Sequence, residues 1–391
     1  MAPATTAPAA PPRSMQGIAI PAASVQPAQF FAGTRRQKHV EKTIAYAGQP
    51  SDQIELLKAD ILSKLQIRFV GQVVTLKKTG AITSNGRWPL DLLRKVLVSA
   101  NGQANLINVS GAQLKARQMI VDPKCNDRGI TQTVGAATVN QGTLAQGGDS
   151  WGIGTQVANV ADGTYPVDLT WDVPIAQDQK SLLGALFLQT STSDITLQLQ
   201  YGTLAELFTM TNDASVAITG TFTVTSTKYS IPIGQDGQII VPDLSAFHSL
   251  IGSRYAPLTS GENEVPLAGQ GAGKNLLRVF WQVFNGAPNN PVPVTDANFG
   301  FIGWRYGTNE TPEIAPASSW ARDAENMYSS AIGAVHGFAC IDYADIFAAR
   351  DVVDLGTMSQ FRVLLNVQPG LALTNPSMEY VQELVFLSGQ A

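Results

Sequence analysis

At 391 residues the chain is longer than one ordinary core supports and suits two domains of roughly 150–200 residues each. Hydrophobic residues make up 44% of it and charged residues only 14%, against roughly 25% in an average soluble domain, so its uncharged polar surface suits packing against neighbours. A net charge of −4 argues against a face that grips nucleic acid, and two cysteines, Cys125 and Cys340, make neither a disulfide framework nor a zinc site.

Residues 1–29 are rich in Ala and Pro with Arg13 as their single charge, and they are expected to form an extended arm within residues 1–50. Pro3, Pro8, Pro11 and Pro12 interrupt this stretch and argue against a secretory signal, and no run approaches the roughly 18 apolar residues of a membrane-spanning helix. From Phe30 to Tyr46 the chain turns basic and faintly amphipathic, which fits a short helix. Here lies the basic cluster Arg35, Arg36, Lys38 and Lys42. Residues 52–65 read two ways. Ile54, Leu57, Ile61 and Leu65 fit a helical face behind a capping box of Asp52 and Glu55, while Ile54, Leu56 and polar Lys58 alternate as a strand does.

Beyond this the pattern is β. Strands are expected over Leu65–Leu76, Leu92–Ser99, Tyr165–Ile175, Asp194–Tyr201, Ala217–Ile231, Leu276–Phe284, Phe299–Tyr306, Ala334–Tyr343, Gln360–Val367 and Glu379–Leu387, where apolar and polar residues alternate and β-branched or aromatic side chains abound. Turn dipeptides punctuate them at Asn85-Gly86, Asn101-Gly102, Asp162-Gly163, Asp236-Gly237 and Asn285-Gly286. Helices are few. Asp243 reads as the cap of a helix over Leu244–Ile251 with Gly252 as its stop, and Ser318 or Ser319 opens a second, with Trp320, Ala324, Met327 and Tyr328 at helical spacing. Many strands, few helices and frequent turns point to β-sandwiches or barrels.

The pattern occurs twice. Ile67-Arg68-Phe69-Val70-Gly71-Gln72-Val73-Val74 is echoed by Leu277-Arg278-Val279-Phe280-Trp281-Gln282-Val283-Phe284, with Arg, Gln and Val at the same spacing. In each half there follow a long apolar strand, a short helical patch (Lys180–Phe187; Ala344–Ala349), an alternating strand and a closing strand. Two similar domains in tandem are expected, 51–231 and 253–391, joined by a link over 232–252 that carries the short helix.

Catalytic patterns are weak. Gly269-Gln270-Gly271-Ala272-Gly273-Lys274 resembles a phosphate loop but has Ala268 and Asn275 where that motif needs Gly and Ser/Thr. His39, His248 and His336 have no metal spacing and sit near no nucleophile elbow. Asp342, Asp345, Asp351 and Asp354 form an acidic run without calcium-loop spacing and read as a solvated loop. No enzyme activity, cofactor or metal is expected. Competing readings are a glycan-binding jelly roll, for which Trp281, Trp304 and Trp320 would supply an aromatic platform, and a two-domain jelly-roll hydrolase.

Two stretches resemble the major coat proteins of tectiviruses, tailless bacterial viruses with a membrane inside the protein shell. The first is Trp171-Asp172-Val173-Pro174-Ile175-Ala176 with Leu182-Leu183-Gly184-Ala185 and Thr196–Tyr201 after it. The second is Ile231-Pro232-Ile233-Gly234-Gln235-Asp236-Gly237, then Ile239-Ile240 and Asp243-Leu244-Ser245, which is similar to the family's interdomain link. Val283-Phe284-Asn285-Gly286 and Ser319-Trp320-Ala321 add to it. The resemblance implies a double jelly roll, each domain with eight strands, B to I, in two four-stranded sheets. It implies a homotrimer with a pseudo-hexagonal footprint, packed against neighbouring capsomers and against other virion proteins such as vertex or cement proteins. The protein would then reside in the virion capsid after synthesis in the host cytoplasm, with no specific nucleic-acid partner. The arm would lie beneath the shell near the membrane, and Arg35, Arg36, Lys38 and Lys42 would either meet an anionic leaflet or only clasp a neighbouring subunit. The family's layout also favours extended structure over a helix at 54–65.

Overall fold

The computed structural model describes residues 27–85, 87–100, 103–121, 132–134, 137–139, 146–147, 160–188, 194–235, 237–267, 274–286, 292–294, 298–305, 313–320, 323, 338–343, 353–356, 361–368 and 373–387. After a short helix α1 (Pro27–Gly33), the first half holds β1 (Arg36–Tyr46), β2 (Ser51–Glu55), β3 (Ile61–Leu76), β4 (Leu93–Ala100), β5 (Gln103–Val109), helix α2 (Gly111–Val121), β6 (Gly163–Pro174), β7 (Ile195–Tyr201) and β8 (Ser215–Tyr229). The second half holds β9 (Ala246–Tyr255), β10 (Gly261–Pro266), β11 (Lys274–Asn285), β12 (Phe299–Arg305), β13 (Glu313–Pro316), β14 (Phe338–Asp342), β15 (Arg362–Val367) and β16 (Ser377–Leu387).

Their pairing is the same in both halves. In the first, the sheet β1-β8-β3-β6 faces the sheet β2-β7-β4-β5; in the second, β9-β16-β11-β14 faces β10-β15-β12-β13. These are the strand orders B-I-D-G and C-H-E-F of a jelly roll, written twice. The octapeptide echo marks equivalent positions, since β3 and β11 are each the D strand between the I and G strands. Each of the ten strand segments expected from the sequence holds a strand, the one expected over Ala334–Tyr343 being described from Phe338.

The first core gathers Leu65, Ile67, Phe69 and Val73 of β3 with Trp171, Phe222 and Leu197; the second gathers Val279, Trp281 and Val283 with Trp304, Phe361 and Met378. At the centre of the first, Phe69, Tyr46, Tyr201 and Trp171 surround Phe222, with ring centroids 4.7 to 6.4 Å from it. The Phe69 ring lies over the cross-strand pair Gly71–Gly220, and a Cβ at either glycine would come within 2.6 Å of it. Absence of a side chain at 71 therefore makes room for Phe69 where the second half has Trp281.

Three helical expectations fail. The basic run 36–46 is a strand, paired along its length with β8, and the helix ends before it at Gly33. Residues 244–251 are not a helix: Asp243 Oδ1 accepts the Ser245 amide at 2.9 Å, and Ala246 starts β9, which holds ten paired positions on β16. The i, i+3, i+4 spacing of Leu244, Phe247 and Leu250/Ile251 fits a helix, but cross-strand pairing and burial outweigh that weak local preference. Lys180–Phe187 forms turns and a two-residue strand, Leu186–Phe187, held by Asp178 accepting from the Lys180 and Ser181 amides. Residues 51–55 and 61–65 are strand, which resolves the ambiguity at 52–65. Residues 317–320 are helical, as expected near Ser318, whereas Ala344–Ala349, the loop 268–273, His336 and the arm before residue 27 lie outside the described residues.

The two rolls are joined by more than the link. β5 of the first pairs in parallel with β9 of the second at Ile107–Leu250 and Asn108–Ile251, so that the sheet β2-β7-β4-β5 continues into β9-β16-β11.

Candidate functional site

The candidate site is the junction between the two rolls, where charged side chains are buried. The outer face of β9-β16-β11-β14 is covered by the first roll. Ala112, Gln113 and Ala116 of α2 line a crevice with Phe280, Phe284 and Val381, and Leu250, Phe280, Phe338 and Val381 belong to the first roll's core. Close approach is needed here: a Cβ on Gly252 would meet Gln113 Oε1 at 2.4 Å, and one on Gly184, at φ +82°, would meet His248 Cβ at 2.5 Å.

At the centre of this junction sits Glu383 of β16, wholly buried. Arg117 of α2 reaches it at 2.6 Å, Arg278 of β11 at 3.3 Å, and His248 Nε2 lies 2.8 Å away, while Arg278 also pairs with Asp342 at 3.3 Å. Burial pushes the Glu383 carboxyl up, but the guanidiniums of Arg117 and Arg278 and the His248 ring outweigh it and hold it well below the usual carboxylate range. A second bridge joins Arg87 of the first roll to Glu379 of β16 at 2.8 Å, with the guanidinium over the Phe284 ring at 4.0 Å. Next to it, burial drives the Asp91 carboxyl up against the pull of Arg87 and Arg94. The sequence reading missed this cluster. Its signal is Gln382-Glu383 in the otherwise apolar closing strand Val381–Leu387, with an Arg opposite the Glu in the D strand.

The basic cluster lies on and just before a strand, not on a helix. Arg36, Lys38 and Val40 point to solvent from β1, the edge strand of the first roll, and Arg35 precedes it. Register shifts between Val40 and Lys42, and Glu41 at this bulge turns inward to Lys228, 2.7 Å away, and to the Leu57 amide at 2.8 Å. After the bulge the faces exchange, so that Ile44 and Tyr46 are buried. Lys228 is wholly buried and also donates to the Leu57 carbonyl at 2.8 Å. Burial raises the Glu41 carboxyl, and its bonds from Lys228, Ser226 and the Leu57 amide overcome this and bring it below its ordinary value.

The remaining sequence candidates are dispersed. Asp342 is paired to Arg278, Asp354 accepts the Gly356 amide at 2.8 Å, and Asp345 and Asp351 lie outside the described residues. His39 faces Gln37 at 3.1 Å. Among the described residues no group of three or more His, Cys, Asp or Glu is placed to hold a metal ion, and no helix is long and apolar enough to cross a membrane. Trp281 and Trp304 are core residues, and Trp320 packs on Trp304 and donates to the Ile302 carbonyl at 3.0 Å.

No family model and no curated protein matches the sequence. Solved structures do. The STIV MCP, from Sulfolobus Turreted Icosahedral Virus, superposes with a TM-score of 0.59 at 14% identity, over 90% of this chain and 96% of that one. The PBCV-1 virus capsid gives 0.51 at 12% identity, over 92% and 96%, and the major capsid protein P2 from bacteriophage PM2 gives 0.50 at 8% identity, over 90% and 98%. The likeness runs through both rolls of this chain and nearly the whole of each of the others, and it shows the fold: a double jelly roll, shared with proteins described as viral capsid proteins.

Proposed function

We propose that the chain is a major capsid protein that assembles as a pseudo-hexagonal homotrimer and tiles an icosahedral shell. The observation that carries this reading is the coverage: the whole two-roll arrangement is matched at once, 90% of this chain on 96% of the STIV MCP. Two similar rolls per chain give three copies six similar corners, which is what a single gene product needs to fill a near-hexagonal lattice. The low charge content supports it, because a capsomer hides much of its surface against neighbours. A glycan-binding site is less well supported, since Trp281 and Trp304 are buried and offer no platform. Light scattering after size exclusion tests the reading: a stable species near three times 41.6 kDa is expected, persisting on dilution, and a clean monomer would overturn it.

In this assembly the end of the first roll that carries α1 and the link over 231–244 faces inward. Arg35 and Arg36 lie there beside Ser230, with Ile233 of the link 72% exposed at the tip of a turn closed by the Ile233–Ile239 bridge. Cationic side chains flanking an exposed apolar tip suit an anionic leaflet, each contributing on the order of 1 kcal/mol. Neutralising Arg35, Arg36 and Lys38 together is expected to weaken capture by anionic liposomes by more than tenfold from these contributions; unchanged co-sedimentation would remove the membrane from the reading.

A further inference from the structure

We infer that the outer face of β1-β8-β3-β6, with the free edge of β1, is the surface on which a second copy of the chain docks through its second roll. This rests on the homotrimer proposed above and identifies its interface. The two repeats differ in which faces they cover.

The D strand of the second roll is buried on both faces from Leu276 to Phe284, and so is the closing strand from Val381 to Val385. The same strands of the first roll alternate. Arg68, Val70 and Gln72 of β3 and Ala217 and Thr219 of β8 face solvent, and Val70 is 48% exposed. Each outward position has a buried counterpart: Arg68, Val70 and Gln72 correspond to Arg278, Phe280 and Gln282 in the echoed octapeptide. Arg68 even repeats the partnership, pairing with Asp168 of the G strand at 2.7 Å where Arg278 pairs with Asp342 of its own G strand. In the second roll the covering is supplied by the first roll's F strand, β5, and by the helix that follows it, α2.

The chain carries a second set of these covering elements. β13 is the F strand of the second roll, its outer edge is free, and residues 317–320 begin a helix directly after it, as α2 begins after β5. No element of the same chain lies on that edge among the described residues. The B strand β9 has its edge closed by β5, whereas among the described residues nothing pairs with the equivalent edge of β1. Among those residues each chain thus holds one unused cover and one uncovered face. Placing the cover of one copy on the face of the next repeats the intrachain relation around a closed ring. Exposed apolar residues stand on both elements, Val40 at 65% on β1 and Ile314 at 47% on β13. The face is about 40 Å long and about 19 Å wide by strand rise and spacing. Its area, about 800 Å², is what one partner contributes to a standard specific interface.

Val40→Glu and Val70→Glu place buried charges in this interface and alter only solvent-facing positions of the single chain. Met210→Glu, at a site 36% exposed in a small two-stranded pairing with Ile82 that is separate from this sheet, is the control. With the wild type trimeric by light scattering, both test variants are expected to weaken the trimer on the order of 100-fold or more, giving folded monomers with an unchanged β circular-dichroism spectrum, while M210E stays trimeric. Trimers of wild-type affinity in both test variants, or equal dissociation by M210E, would overturn the docking surface and leave the capsomer standing. A wild type that is itself monomeric would instead remove the homotrimer. Hydrogen exchange on the unmodified trimer gives an answer free of folding effects: the edge amides of β1 should be slower than in the diluted monomer, and equal rates would overturn the surface.

Discussion

Glu383→Ala is expected to destabilise the protein by about 3–5 kcal/mol, measured as a shift in urea midpoint, because it leaves Arg117 and Arg278 buried around an empty site. The carboxylate is wholly desolvated and would be costly to hold alone; two guanidiniums make it the preferred charge state. The sign of the pH dependence follows. Because the folded-state value of Glu383 is depressed, its contribution is complete above the ordinary glutamate value of 4.5 and fades as pH falls below it. Asp91 acts with the opposite sign, since its raised value makes the folded state hold a proton more readily and acid relieves rather than weakens it. Glu383 should therefore add to the decline in wild-type stability on acidification while Asp91 opposes it, and Glu383→Ala should show a flatter acid limb. An unchanged acid limb would show that the cluster is not the acid-sensitive element.

Glu41→Ala should have an effect of similar size, about 3–5 kcal/mol, for the complementary reason: it strands a wholly buried ammonium, that of Lys228, with the Leu57 carbonyl as the remaining acceptor near it. Adding Lys228→Met should restore most of the loss, because an apolar side chain of similar length removes the unpaired charge. A double-mutant cycle read by thermal or urea denaturation measures the coupling. If the double variant is no more stable than Glu41→Ala alone, then Glu41 acts by fixing the β1 bulge and not by pairing with Lys228. The depressed Glu41 carboxyl gives this site the same acid limb as Glu383, present above 4.5 and lost below it.

Much of the architecture was legible in the residues. Alternation gave the strands of the first roll, because their outer faces meet solvent in the single chain, and the Arg-x-x-x-Gln-Val echo located both D strands. In both rolls the G strand was legible as a long apolar run and the H strand, Asp194–Tyr201 or Gln360–Val367, by its alternation. What failed, failed for tertiary reasons. Leu244–Ile251 has helical spacing, but its fate is decided by ladders from Ala246–Tyr255 to β16 and β5 far away in sequence. Helix α2 went unread because it is buried nearly all round, Lys115 and Arg117 included, and so shows no polar stripe. A local mark was there: Ser110 and Gln113 cap each other's amides at 2.9 and 3.2 Å, a capping box in the residues Ser110-Gly111-Ala112-Gln113. The buried charge cluster was hidden since Arg117, His248, Arg278 and Glu383 are spread over more than 260 positions, the Arg117–Glu383 separation alone being 266. Glu41 could not be told from its basic neighbours without the bulge that turns it inward.

The parallel step between β5 and β9 has a mechanical consequence. Hydrogen-bonded strands pass without interruption from β2 of the first roll to β11 of the second, so the two rolls share one stiff plate and are not two beads on a string. A hinge between them would have to tear that plate and expose Glu383. The chain would then bear load as a single beam. Bending of a shell built from it would fall on the seams between separate copies, where contacts can slide, and the interior of each tile would keep its shape while the curvature around it changes.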